Sequence, residues 1–85
     1  AQYLQRILNS GSKDAMILKC ADRISNLIDL NRDSTNKQRI SHYLDQTEAY
    51  VLKMAKAVNK DMEIELKDLV EKRREIVRRY KLWKI

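Results

Sequence analysis

Four polar side chains, Lys19, Asp22, Asn26 and Asp29, follow one another at spacings of three, four and three. On a helix this spacing gathers them on the side opposite Ile17, Cys20, Ile24 and Leu27. Physical chemistry alone reads such a stripe most simply as a solvated face. His42 and Asp45, three residues apart, have the types and spacing of two metal ligands, but no third ligand lies near them in sequence, and an exposed helical pair is the plainer reading. Cys20 could serve as a nucleophile only as a thiolate. Its apolar neighbours would raise its pKa, so it reads as core. The run from Lys72 to Lys84 combines bases with Tyr80 and Trp83, a pattern found in RNA-binding arms, membrane-surface helices and calmodulin-type targets. Glu75 can pair with Arg78 and Arg79 at i+3 and i+4, which favours instead a packed terminal helix with a charged outer face.

Helices must position these groups. The chain has 85 residues with no Pro and one Gly, so it lacks the turn chemistry that hairpins of strands need, and 44% apolar residues are too many for a disordered tail. An all-α chain of three to four helices follows. Residues 1–9 carry an apolar stripe of Tyr3, Leu4, Ile7 and Leu8, ended by Ser10-Gly11-Ser12. There Gly11 suits a left-handed C′ position and Ser12 an N-cap. Residues 13–30 form the second helix, its apolar face widened by Met16, Ala21 and Ile28. After a polar loop at 31–34, Thr35 and Gln38 match a capping box for a third helix whose stripe is Ile40, Tyr43, Leu44, Thr47, Tyr50, Val51, Met54 and Val58. Asp61, Glu63 and Glu65 form an acidic first turn for a fourth helix beginning after Asn59-Lys60. Its stripe is Met62, Leu66, Leu69, Val70, Ile76, Val77, Tyr80 and Trp83, interrupted by Arg73. The last two helices are expected to make a long antiparallel hairpin.

One domain, or part of one, is all this length allows. A chain so short has a marginal core, so self-association through an exposed core face is expected. The lone cysteine points to a reducing, cytoplasmic setting, and the longest apolar runs, four residues, are far below the roughly 20 needed to span a bilayer. The formal net charge of +6 raises the question of nucleic acid. The acids of the fourth helix precede its bases, the order a helix dipole favours, so weak and nonspecific binding to nucleic acid is the most this charge implies. The start, Ala1 to Arg6, lacks both an initiator Met and the layout of a signal peptide, so the chain reads as an internal segment.

The segment Ile17-Leu18-Lys19-Cys20-Ala21-Asp22-Arg23-Ile24-Ser25-Asn26-Leu27 resembles the K-x-A-D-R-x-x-N segment of HD-domain metal-dependent phosphohydrolases. The likeness is strongest to the RelA/SpoT-type (p)ppGpp hydrolases and their small stand-alone relatives. In that family an upstream His, a His-Asp pair and the Asp of A-D-R hold one divalent metal, usually Mn²⁺, in an all-helical domain. The resemblance implies that Asp22 is a metal ligand and that Asn26 contacts a nucleotide or pyrophosphate substrate. Lys19 and Arg23 are implied as supports or charge complements beside that anionic substrate. A carboxylate suits a hard cation, which would polarise a phosphoryl oxygen and lower the pKa of the attacking water.

The resemblance covers residues 3 to about 69, the C-terminal portion of such a domain, with Thr47 and Ala55 as a looser echo on the third helix. Ser25-Asn26 stands where the family often has His-Asn, Leu27-Ile28-Asp29 replaces Met-Arg-Thr, and His42 is the single histidine. Two readings follow: a partial HD-type domain over residues 1–85, inactive as the isolated chain, or a small basic helical binding module.

Overall fold

The computed structural model describes residues 2–30 and 37–83. Every described element is helical: α1 (Gln2–Ser10), α2 (Lys13–Asp29), α3 (Lys37–Gln46), a π turn (Thr47–Val51), α4 (Leu52–Val58) and α5 (Lys60–Trp83). The loop at 31–34 and the cap at Thr35 lie outside the described residues, as do the side chains of Gln38, Tyr80 and Trp83.

Local chemistry explains the helix boundaries. Ser12 sits in extended geometry and its hydroxyl accepts from the Ala15 N–H at 3.1 Å, capping α2 as its type foretold. Gly11 departs from expectation, because no described glycine has a positive φ. What requires a glycine there is close approach. The Gly11 N–H donates to the Ile7 carbonyl at 2.8 Å, and an added Cβ would stand 2.5 Å from that same oxygen. Between α4 and α5 only Asn59 leaves helical geometry (φ −160°, ψ 108°), and its side-chain oxygen accepts from the Met62 N–H at 3.1 Å. An N-cap thus makes the break that neither Gly nor Pro enforces.

The third helix of the sequence reading is not regular throughout. At Thr47–Val51 the backbone widens into a π turn, and the Leu52 N–H reaches back five residues to the Thr47 carbonyl. One extra residue per turn rephases the stripe, so that Thr47, Val51, Met54 and Ala55 all stay buried. The α3–α4 rod and α5 pack as the antiparallel hairpin that was expected, with Ser41 and Leu44 beside Val77 and Arg78 at one end and Leu52 beside Lys67 and Val70 nearer the other.

The core is one cluster drawn from all five helices and the π turn, including Leu4, Cys20, Leu27, Leu44, Val51, Met54, Leu66 and Val77. Several residues assigned to apolar faces fall outside it, among them Tyr3, which is 61% exposed. Ala21 is exposed, Ile28 is half exposed and Ile76 is 40% exposed, each at the margin of its stripe. Val77, on the last third of α5, is buried.

Candidate functional site

The polar face of α2 is solvent-facing, as its spacing implies. Asp22, Asn26 and Asp29 are exposed and Lys19 is partly covered. Successive turns bring three of these together. Asn26 Nδ2 donates to Asp22 Oδ2 at 3.4 Å, and Lys19 Nζ stands 3.9 Å from the same oxygen. Lys19 also lies over the Tyr3 ring, 5.0 Å from its centroid, so α1 steadies the lysine from above. Asp22 and Lys19 border a shallow groove of about 280 Å³ whose apolar wall is Tyr3, Ile7, Ala15 and Leu18.

Arg23 is the exception among the residues singled out. Its expected place was beside an anionic substrate, yet it is only 5% exposed and points into the core. Its position explains this: Arg23 follows Cys20 by three residues and precedes Leu27 by four, which puts it on the buried stripe. There its guanidinium carbon stacks 4.0 Å from the centroid of the Tyr43 ring, and Nη1 donates to Thr47 Oγ1 at 3.3 Å. The Thr47 hydroxyl in turn donates to the Tyr43 carbonyl at 2.8 Å. Arg23 Nε is buried without a hydrogen-bond partner among the described residues.

A metal needs several ligands at once. Among the described residues no group of three or more His, Cys, Asp and Glu side chains converges. Asp22 therefore offers one carboxylate, and the residues described here do not by themselves fit an Mn²⁺ site. His42 is exposed and meets Gln46, nitrogen to nitrogen at 3.4 Å, while Asp45 is held by Arg74 Nη2 at 2.8 Å. Cys20 is fully buried and its thiol donates to the Val51 carbonyl at 3.7 Å. Burial pushes its pKa above the ordinary value, which keeps it protonated and a poor nucleophile.

The basic run of α5 is largely committed within the fold. Arg73 Nε donates to the Leu27 carbonyl at 2.8 Å and its Nη2 reaches the Ile28 carbonyl at 3.5 Å, so this arginine serves carbonyls at the end of α2. Arg74 bridges Asp45 and Glu48, with Nε 2.7 Å from Glu48 Oε1. The Asp45 hydrogen bond leads in raising its pKa further, and Glu48 adds to the effect. Lys72 pairs with Asp68 at 2.9 Å. Glu75 holds both Arg78 at 2.9 Å and Arg79 at 3.4 Å, the pairing that the spacing implied.

Sequence reasoning missed the Arg23–Tyr43–Thr47 cluster and the use of Arg73. Two signals were present: a threonine inside an apolar stripe, which needs a partner when buried, and an arginine interrupting another. No helix among the described residues is long and apolar enough to cross a membrane. No family model and no curated protein matches the chain.

Proposed function

We propose that this chain is the C-terminal portion of an HD-type, Mn²⁺-dependent phosphohydrolase acting on (p)ppGpp or a related nucleotide pyrophosphate in the cytoplasm. The observation that carries the reading is a shared face. Asp22 and Asn26 of the resembling segment are turned outward together, whereas Arg23 and Thr47, two positions of the resemblance that lie on separate helices, meet in the core. Burial of Arg23 departs from the substrate-side place that the resemblance implied, and the support for the reading lies in Asp22 and Asn26 sharing one exposed face. In this reading Asp22 supplies one metal ligand, Asn26 orients that carboxylate and meets the nucleotide, and Lys19 places positive charge next to the phosphates. The bound metal would supply a polarised phosphoryl oxygen and an acidified water. The alternative of a nucleic-acid-binding module loses support from α5, whose described bases from Lys72 to Arg79 all have partners within the fold.

The complete reading frame tests the proposal. It must encode an upstream His and a His-Asp pair, and its product must release pyrophosphate from (p)ppGpp when Mn²⁺ is added. A frame without those residues, or a product without that activity, would sink the reading. The 85-residue chain by itself is expected to release none, because a single carboxylate cannot hold the ion; pyrophosphate-release assays at millimolar Mn²⁺ check this.

Self-association is the second expectation. The core face expected to mediate it is covered within the chain, with Cys20, Leu27, Leu44 and Leu66 fully buried; the apolar surface left exposed is instead the groove that Asp22 borders, where Leu18 is 71% and Tyr3 61% exposed. Sedimentation of the chain should show mass rising with concentration, and Leu18→Glu should restore the monomer. A concentration-independent monomer would contradict it.

A further inference from the structure

Burying a guanidinium is costly, and no carboxylate faces Arg23 among its described contacts: a tyrosine ring and a threonine hydroxyl take that place. Stability does not explain the choice. A long apolar side chain would fill the same space without desolvating a charge, and such replacements are often neutral or stabilising. Removing the arginine would strand no partner, because the Thr47 hydroxyl keeps its bond to the Tyr43 carbonyl. A costly group in a site that an apolar one could fill is explained by what it orients.

Both ends of the π turn are gripped by the buried face of α2. Arg23 holds Thr47, its first residue, and the Cys20 thiol reaches the carbonyl of Val51, its last. Cys20 and Arg23 are one helical turn apart, so together they fix the rotation of α2 about its own axis. That rotation decides where Lys19, Asp22 and Asn26 point, since Asp22 adjoins Arg23 and the other two lie one turn to either side. A π turn is a distortion that needs a reason, and such turns are frequent at functional sites.

We infer that Arg23 and Thr47 are a positioning pair. Through the π turn they set the direction of the α2 polar face and touch no substrate themselves. The inference deepens the proposed function and rests on it only for the meaning of that face.

The experiment combines three variants with three readouts. In the isolated chain, Arg23→Met should leave the urea midpoint at or above that of the wild type. Thr47→Val, remote in sequence, should move the backbone amide resonances of Lys19, Asp22 and Asn26, while Thr47→Ser, which keeps the hydroxyl, should restore them. In the full-length protein, Arg23→Met and Thr47→Val should lower kcat by about tenfold or more, the usual cost of losing a group that orients a ligand, with KM little changed and Thr47→Ser close to wild type. A fall in the midpoint with Arg23→Met, or α2 amides unmoved by Thr47→Val, would overturn the inference. A full-length wild type without hydrolase activity would remove the proposed function, and the stability and resonance data would still decide the positioning role.

Discussion

Under the proposed function, Asp22→Ala is expected to abolish metal-dependent hydrolysis in the full-length protein while leaving its fold nearly unchanged. The two halves of this expectation have separate physical grounds. Asp22 is exposed, and its described partners are Lys19 at 3.9 Å and Asn26 at 3.4 Å, contacts of a kind that contributes about 0 to 1 kcal/mol at a surface. Helix propensity offsets part of even that loss, since alanine is the better helix former. A carboxylate that binds the ion is different, because removing it takes away both charge and geometry where the phosphoryl group reacts. Unchanged helical circular dichroism and urea midpoint, alongside pyrophosphate release at background, are the expected pair of results. Retained activity would mean that the motif has been misassigned. A collapsed fold would mean that Asp22 is structural.

Leu27→Ala should carry a large cost in stability. Leu27 is fully buried where the end of α2 meets the rest of the core, and truncating such a leucine costs about 2 to 5 kcal/mol through lost transfer energy and the cavity left behind. At roughly 0.05 to 0.15 kcal/mol per residue, 85 residues give about 4 to 13 kcal/mol in total. One side chain can therefore remove a third or more of the stability. Urea unfolding measures the loss, and a change below about 1 kcal/mol would show that this end of α2 is not packed as described.

Much of the fold was legible because it depends on neighbours in sequence. Ser12 announced its cap, the acids after Asn59 announced α5, and the period of Ile40, Leu44, Thr47 and Val51 announced a buried face. What stayed hidden depends on meetings across space. Arg73 breaks the stripe of its own helix, yet its partners are carbonyls on α2, and a carbonyl has no signature in a side-chain pattern. The π turn leaves the residue types unchanged and alters only the phase. The site divides the same way: spacing placed Asp22 and Asn26 on one outward face, whereas spacing applied only to apolar residues overlooked that Arg23 shares the buried stripe with Cys20 and Leu27.

The join at Asn59 also bears on the order of assembly. With one residue outside helical geometry, bringing α4 and α5 together closes almost no loop, and local contacts of this kind form fastest. The bond from Arg73 to the Leu27 carbonyl spans 46 residues and must wait for a much longer closure. Contact order therefore predicts that the hairpin forms early, with α2 docking onto it afterwards. Arg73→Ala should accelerate unfolding and leave the folding rate nearly unchanged in stopped-flow experiments, and a slowed folding limb would contradict this order. The helix that carries Asp22 and Asn26 would then be the last to be fixed and the first to be released.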